Sequence, residues 1–483
     1  MIISLRYLVV LPSLMTIIGC VPSSYDIKDS YNRASKSFNQ TIHSLEEKIV
    51  TKFNDLQVLE APKFDKKKPS QIENIETILS KKNIESKKDI YNLEAPFRDM
   101  IIDVISVHPE VQSAYYLEKA AEQEIVASKG QNKPQITGSL NAGGVKENTN
   151  TSDITTGVAL DARISQLIYD GGYLAGSIGK KNALYEQAKS NSAMVKNRIG
   201  FEAASSWLDL WVLREKLKEI NYTSEDTNPI LADIKRVAKT GLIDRTVVDN
   251  IEKSLLQVTV NKQKLEMDIE LAELRYEYFY GKVPIDIIKP VSPFKLDLLE
   301  NKMKNKSSIP KLRFAAAQLM ASREDENSIL GEFKPQVSFN LAASSPLDRD
   351  DNASLAIGIQ STYTFSDGGT RKARLKVAQA KSSELEFSLD NEKIMTMKLI
   401  ETDLKSLNYL KKSRLITQKS LQQNTQSLTI LKSQILTGQS KLNNLIDMHI
   451  ERIGIINSLL DNLTESEKLK YSLASILGIF SEL

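Results

Sequence analysis

The chain is 483 residues long, which is enough to bury a large core or to form roughly three domains of about 150 residues. Its formal net charge is only +3 with 26% charged residues, which excludes the strongly basic surface expected of a nucleic-acid-binding protein. Aromatic residues make up 6%, a low share for a compact enzyme of this size, and the single cysteine excludes a disulfide framework.

The N-terminus has the layout of a secretory signal peptide. One basic residue, Arg6, precedes an apolar run over residues 7–18, which is too short to span a bilayer as a mature helix. The sequence IIGC, which ends at Cys20, resembles a bacterial lipobox, in which the cysteine becomes the acylated first residue. We therefore expect a lipoprotein signal peptide over residues 1–19 and a lipid anchor at Cys20; the alternative is a cysteine placed there by chance. Val21 after the cysteine resembles the pattern of lipoproteins that are sorted to the outer membrane.

Residues 20–94 form a polar tract rich in Lys, Asn, Ser and Glu. With few large apolar residues, the tract cannot form a core of its own. We interpret it as an extended or loosely helical N-terminal leader with solvated lysines, and the alternative is that the lysines bind a receptor.

Residues 95–300 and 301–483 are predicted to be two copies of one structural unit: helix, two strands, long helices. The first helix opens at Pro109 and closes at Gly130, and its counterpart closes at Gly331. Both helices are followed by Lys-Pro-Gln and then by strand-like sequence. Each strand pair ends at Asp-Gly-Gly, which commonly marks a hairpin turn. Here a helical pattern follows instead of another strand.

Four segments with period-two alternation are predicted to be β-strands, each apolar on one face and polar on the other. The apolar face carries Ile136, Leu140, Leu160, Ile164, Ile168, Phe339, Leu341, Ile357, Ile359, Tyr363 and Phe365. One interpretation is a soluble sheet packed on helices. The other is an outer-membrane barrel, with lipid on one side and a wet lumen on the other. The exported N-terminus favours the barrel, and because four strands cannot close one in lipid, other protomers must complete it.

The remaining sequence is predicted to be long helix. In the first unit it covers residues 172–221, resumes after Pro229 and continues to residue 280; in the second it covers residues 370–436 and 440–479. Apolar residues spaced by three and four give each helix one packing seam, as in coiled coils. The seams are Leu265, Ile269, Ala272, Tyr276 and Phe279, and Leu442, Ile446, His449, Ile453, Ile456, Leu460 and Leu463. The helices carry too many charges to cross a bilayer, so we expect them to project into water.

This pattern resembles the TolC-like family of outer-membrane efflux and secretion channels, from about residue 95 to residue 479. The motifs are His108-Pro109-Glu110, both Lys-Pro-Gln sequences, both Asp-Gly-Gly sequences, and Thr-Gly-Leu and Thr-Gly-Gln at residues 240–242 and 437–439. The resemblance implies a mixed, mainly α fold. Long coiled-coil α-helical hairpins would form a periplasmic tunnel, and four β-strands per protomer would contribute to a trimeric, twelve-stranded transmembrane β-barrel.

The function implied by this resemblance is the exit duct of a tripartite efflux or type I secretion system. Such a homotrimer is a passive conduit from the periplasm to the exterior. It docks on a periplasmic membrane-fusion adaptor protein and an inner-membrane pump of RND or ABC type. The expected location is the outer membrane, in contact with its lipid, with a periplasmic extension and an anchor at Cys20. The Tyr-Asp-Gly-Gly form at residues 169–172 looks more like secretion members, but drug efflux and protein secretion both stay open.

The resemblance also implies roles for individual residues. Barrel-to-tunnel joints are expected where glycine allows unusual backbone angles and aspartate can cap a helix, at Asp170, Gly171, Gly172, Asp367, Gly368 and Gly369. Adaptor-docking tips are expected at Gly241, Leu242, Gly438 and Gln439, and the alternative is that these glycines only end helices. A pore gate is expected at Asn444 and Asp447. Because Asn444 stands where many members have an acid, the ring loses one charge per protomer, and the alternative for Asp447 is an ordinary solvated side chain.

No catalytic constellation, metal site or cofactor is predicted. The histidines His43, His108 and His449 are far apart and lie in no ligand or nucleophile motif, and His449 is expected to be a packed seam residue. Without a phosphate-binding Gly-Lys-Ser/Thr loop, energy for transport must come from a separate pump. The alternative function is a non-pore structural coiled-coil envelope lipoprotein whose sheet packs on its helices, and a periplasmic enzyme ranks third.

Overall fold

The computed structural model describes residues 97–145, 155–240, 244–290, 294, 296–303, 306–345, 353–436 and 442–483. All of these belong to one compact unit, Ser86–Leu483. The expected signal peptide, Cys20 and the polar leader lie outside the described residues. Among the helices that are described, none has both the length and the apolar character needed to cross a membrane.

In the part of the chain that the structure describes, eight helices and four strands follow one another in two similar series. The first series is α1 (Phe97–Val107), α2 (Pro109–Gly130), β1 (Gln135–Val145), β2 (Thr155–Tyr169), α3 (Tyr173–Ala238) and α4 (Arg245–Tyr280). The second is α5 (Leu296–Met303), α6 (Pro310–Gly331), β3 (Gln336–Ser344), β4 (Ser354–Thr362), α7 (Thr370–Leu436) and α8 (Leu442–Ile476). Short 3-10 turns lie at Lys306–Ser308 and Ile479–Glu482.

Helices α3 and α7 are the longest elements, with 66 and 67 residues. At 1.5 Å per residue, each reaches about 100 Å. The predicted bounds of α7 are confirmed, but the predicted break between residues 221 and 229 is wrong, because α3 runs through Pro229 without interruption. Proline removes one backbone hydrogen bond, but Thr223, Thr227 and Ile234 are buried around it and hold the helix by packing.

The four strands form one antiparallel sheet in the order β1-β2-β3-β4. Its register places the predicted apolar residues opposite one another: Leu140 against Leu160, Ile164 against Leu341, and Leu341 against Ile357. The predicted two-faced sheet is therefore confirmed.

The bounds of the strands differ from the prediction at two places. Strand β4 ends at Thr362, so Tyr363 and Phe365 lie outside it. Their rings pack on each other with centroids 4.8 Å apart, and Arg371 Nη2 donates to the Thr364 carbonyl at 2.6 Å. These contacts turn the backbone toward α7 before the alternation ends.

The second difference is a register shift in β2 between Leu167 and Tyr169, which interrupts the alternation at Ile168. Such a bulge bends a strand and increases its twist.

The helices pack side by side in the order α2-α3-α6-α7; α4 lies against α3, and α8 lies against both α3 and α7. The predicted seam of α4 is confirmed, since Leu265, Ile269, Ala272 and Tyr276 are buried. The main core lies where α1, the middle of α3, the end of α8 and the C-terminal residues meet. Its aromatic members include Phe97, Trp207, Phe294, Tyr471 and Phe480.

Candidate functional site

The first Asp-Gly-Gly sequence forms the turn from β2 into α3. Gly171 and Gly172 have φ values of +72° and +99°, in the left-handed region that favours glycine. The Asp170 carboxylate accepts hydrogen bonds from the backbone N–H of Gly172 at 2.9 Å and of Leu174 at 2.6 Å. The aspartate thus satisfies N–H groups that the start of a helix leaves without partners.

Gly171 also lies in close contact with the segment that joins α6 to β3. A Cβ atom at Gly171 would lie 2.5 Å from Lys334 Cβ and 2.6 Å from the Gly331 carbonyl oxygen. Lys334 Nζ donates to the Gly171 carbonyl at 3.0 Å. This turn is therefore fixed by its backbone angles and by a neighbouring segment of the same chain.

The second Asp-Gly-Gly sequence forms the turn from β4 into α7 with the same backbone geometry. Gly368 and Gly369 have φ values of +67° and +90°. Asp367 accepts from Gly369 N at 3.0 Å, from Arg371 N at 2.9 Å and from Arg371 Nε at 2.8 Å. The hydrogen bonds from the backbone and side chain of Arg371 lower the pKa of the Asp367 carboxyl.

Both turns line one cleft of about 730 Å³, together with Lys334, Arg371 and Arg374. The two Asp-Gly-Gly sequences predicted the turns, but nothing in the sequence predicted that Lys334 and Arg371 contact them. Lys334 belongs to a Lys-Pro-Gln motif that marks the start of a strand, so its bond to Gly171 is visible only in three dimensions.

The polar face of the sheet carries a hydrogen-bonded group centred on Asp161. Its carboxylate accepts from Asn141 Nδ2 at 3.0 Å and from Ser344 Oγ at 2.6 Å, so it links β1, β2 and β3. On the opposite face Ile136, Leu140, Leu160, Ile357 and Ile359 are exposed, with 71% of the Ile357 surface free, and Ile164, Phe339 and Leu341 are half-buried. No described helix has an extensive packing surface with the sheet. Within the described residues, the sheet therefore presents an apolar face that no helix covers.

The residues predicted to form a gate lie at the start of α8. Asn444 and Asp447 are exposed and line a groove with Glu451 and Gln434. Glu451 was not included in the gate predicted from the sequence, although its position four residues after Asp447 places both acids on the same helix face. The predicted docking residues Gly241, Leu242, Gly438 and Gln439 lie outside the described residues.

The two described histidines are both packed. His108 caps α2, with Nδ1 accepting from Glu110 N at 3.3 Å and Nε2 lying 3.2 Å from Tyr278 Oη. His449 is buried in α8. Burial lowers the pKa of both imidazoles. Among the described residues, no cluster of His, Cys, Asp and Glu could hold a metal ion.

No protein-family model matches the sequence, and no curated protein matches it. Solved structures do match. The outer membrane protein VceC of Vibrio cholerae superposes with a TM-score of 0.71 and 14% identity, covering 79% of this chain and 96% of that chain. The outer membrane channel MtrE of Neisseria gonorrhoeae, in its open state, gives a TM-score of 0.68 and 13% identity over 80% and 89% of the two chains.

The outer membrane channel CmeC of Campylobacter jejuni is similar to the same extent, with a TM-score of 0.67 and 12% identity over 80% of this chain and 86% of that one. At such low identity the likeness establishes the fold alone, and it extends over about four fifths of this chain. The chain therefore has the fold of the TolC-like outer-membrane channels, as its motifs predicted.

Proposed function

We propose that the chain is an outer-membrane channel, the passive exit duct of a tripartite efflux or type I secretion system. The observation that carries this proposal is the sheet, which is apolar and bare on one face and polar and hydrogen-bonded on the other. A sheet with these two faces is suited to lipid on the outside and water on the inside.

Assembly of several copies follows from the two edges of the sheet. Strands β1 and β4 each pair on one side only within the described chain. An unpaired strand edge in hydrocarbon costs several kcal/mol per backbone group, so the edges must pair with other copies. We infer a homotrimer with a twelve-stranded barrel, which the shared fold with outer-membrane channels supports.

The same bare sheet counts against the alternative of a non-pore structural lipoprotein. That alternative requires the sheet to be covered by the helices of its own chain, and no described helix covers it. The fold shared with channel proteins also favours a channel over an enzyme.

The channel is tested by purifying the protein in detergent and adding it to planar lipid bilayers. We expect trimers that resist dissociation in detergent and give discrete steps of conductance. A folded monomer that leaves the bilayer insulating would overturn the proposal.

The proposed partners are a periplasmic membrane-fusion adaptor and an inner-membrane pump of RND or ABC type. We propose that they meet the chain at Gly241, Leu242, Gly438 and Gln439, and that Cys20 anchors the protein to outer-membrane lipid. Drug efflux and protein secretion are both compatible with the duct, because the pump and the adaptor select the cargo.

The docking proposal is tested by crosslinking in intact cells from Leu242→Cys and Gln439→Cys, with Lys411→Cys on the exposed surface of α7 as the matched control. We expect the first two variants to capture an adaptor, identified by mass spectrometry together with its pump. Equal capture by the control, or capture of nothing by an abundant folded protein, would contradict docking at these residues.

A further inference from the structure

The two Asp-Gly-Gly turns occupy corresponding places in the chain. The interval between Asp170 and Asp367 equals the interval between Gly281 and Gly478, two glycines with positive φ that follow α4 and α8. The helices before the strands correspond with a slightly longer interval, the one between Gly130 at the end of α2 and Gly331 at the end of α6. Each residue near the first turn therefore has an identifiable counterpart near the second.

The first turn is covered by the end of α6. Besides the contacts of Gly171 with Gly331 and Lys334, a Cβ atom at Gly176 would lie 2.8 Å from Ser328 Cα. Ser328 Oγ also donates to the Tyr173 carbonyl at 3.0 Å. Helices α3 and α6 thus meet with their backbones in close approach directly below the sheet.

Among the described residues, nothing covers the corresponding side of the second turn. A Cβ atom at Gly368 would meet nothing within 4 Å, in contrast to Gly171. The segment that should cover it by correspondence is Gly130 to Lys133, and Gly130 likewise has open space around it. Within one chain α2 and α7 lie at opposite edges of the helix layer with α3 and α6 between them, and Gln131 of this segment lines the same cleft as Asp367 without covering Gly368.

Side chains farther along α7 and α2 are likewise more exposed than their counterparts on α3 and α6. Phe387 is 76% exposed on α7, whereas its counterpart Ser190 on α3 is 3% exposed. Tyr116 is 67% exposed on α2, whereas its counterpart Ala317 on α6 is 7% exposed. Large apolar side chains stand bare at positions that are buried in the covered copy of the motif, as expected of surfaces that another copy covers.

We propose that a second copy of this chain completes the turn at Asp367-Gly368-Gly369. The partner's Gly130–Lys133 segment lies on it as Gly331–Lys334 lies on the first turn, and the partner's Lys133 donates through Nζ to the Gly368 carbonyl. This contact between the partner's Gly130–Lys133 segment and the turn at Gly368, called the lock below, would occur at each subunit boundary. It rests on the proposed assembly of copies into a channel.

The register of this contact is tested with the double variant Ala127→Cys/Ala373→Cys. These residues are the counterparts of Ser328 and Gly176, and both are exposed in the single chain. Under mild oxidation we expect a disulfide-linked trimer on a non-reducing gel. The matched control is Ala127→Cys/Lys372→Cys, which moves one thiol by a single residue and should crosslink at least tenfold more slowly. Each single-cysteine variant controls for any free thiol at Cys20.

A second variant tests the lysine itself. Lys133→Met should lower the temperature at which the trimer dissociates without changing the helix content, whereas a change at an exposed lysine far along α7 from this turn, such as Lys411→Met, should not. An intact, conducting trimer that fails to crosslink through Ala127→Cys/Ala373→Cys, or that is indifferent to Lys133→Met, would overturn the lock and leave the channel function standing. A protein that neither trimerises nor conducts would overturn both.

Discussion

At the scale of single residues, Gly171 is required for two separate reasons. Its φ of +72° costs any residue with a Cβ about 1–2 kcal/mol, and its Cβ would collide with Lys334 and the Gly331 carbonyl. Gly281 shares the positive φ but has open space around it, so it is the matched control. We expect Gly281→Ala to lower the free energy of unfolding by about 1–2 kcal/mol and Gly171→Ala by roughly 2–5 kcal/mol, since overpacking adds about 1–3 kcal/mol.

Urea denaturation of both variants in detergent micelles measures this difference. Equal losses for Gly171→Ala and Gly281→Ala would mean that backbone angle alone requires glycine at the first turn. The close approach of Lys334 would then be unimportant for stability.

His449 makes stability depend on pH. It is 3% exposed, its Nε2 has no hydrogen-bond partner among the described residues, and its charged neighbours are Lys432, Asp226 and Arg452. Burial, and then the Lys432 charge, lower its pKa, so the unfolded chain binds a proton that the folded chain does not. Stability is therefore complete above about pH 6.5, and it falls as the pH drops toward the depressed pKa, by up to about 1.4 kcal/mol per pH unit.

The measurement is the free energy of unfolding between pH 8 and pH 5 for the wild type and His449→Leu. His108 also has a lowered pKa and contributes to both curves, so the difference between them isolates His449. We expect the curves to diverge below about pH 6.5, with the variant less sensitive to acid. Parallel curves would show that His449 accepts a proton in the folded protein without cost.

At the scale of elements, the sheet offers a test of which face meets lipid. Ile357 lies on the apolar face of β4, and its neighbour Ala356 points to the opposite face, where it pairs with Ala342. A lysine facing lipid near the bilayer midplane costs about 2–4 kcal/mol per copy, whereas a lysine in a wet lumen is tolerated. We expect Ile357→Lys to prevent insertion and trimer formation, and Ala356→Lys to insert with altered conductance.

Membrane fractionation and a non-boiled gel distinguish the two variants. The reverse result, with Ala356→Lys lost and Ile357→Lys inserted, would place lipid on the polar face and contradict the barrel. Loss of both would show only poor tolerance of lysine in β4, and the pair Phe339→Lys and Ser338→Lys on β3 would then decide.

The helices and strands also show which features of the fold could be predicted from sequence patterns. Alternation over β1 to β4 and the apolar seam of α4 were visible because each depends on neighbours at fixed spacing. The continuous course of α3 through Pro229 was not, because local propensity favours a break and only the buried residues around the proline outweigh it. Tertiary packing decided this element, and a single sequence does not display it.

The aromatic core illustrates the same limit over longer distances. Phe97, Trp207, Phe294, Tyr471 and Phe480 come from five separated segments, and Phe97 stacks on both Trp207 and Tyr471 with centroids 5.9 and 5.6 Å apart. No spacing in the sequence links these residues. They pack together where α1, the middle of α3, the end of α8 and the C-terminal residues meet.

At the scale of the whole molecule, the motifs predicted the turns, and the structure supplied their surroundings. The backbone of both Asp-Gly-Gly turns could be foreseen from glycine and aspartate alone. The cover provided by Gly331 and Lys334 could not, because it joins residues that are far apart in the chain. The division into units at residues 95–300 and 301–483, and the roles of the joints, tips and gate, stay predictions.

The gate prediction can be argued from charge. The groove at the start of α8 is lined by two acids, Asp447 and Glu451. Asn444, which lies nearer the start of the helix, also lines the groove and is neutral. If this face lines the narrow end of a trimeric duct, three copies place their carboxylates around one axis, where a low-dielectric wall strengthens attraction for cations. Asp447→Asn then removes three charges and should make the channel less cation-selective, whereas Asn444→Asp should make it more so.

The reversal potential across a planar bilayer with unequal KCl on the two sides measures this selectivity. The matched control is Asp461→Asn, which removes a charge on the same helix at a side chain that pairs with Lys216 at 2.5 Å. We expect the control to keep the wild-type reversal potential, because Asp461 lies away from the groove. If Asp447→Asn and Asn444→Asp both leave the potential unchanged in conducting trimers, Asp447 is an ordinary solvated side chain and the constriction lies elsewhere along the tunnel.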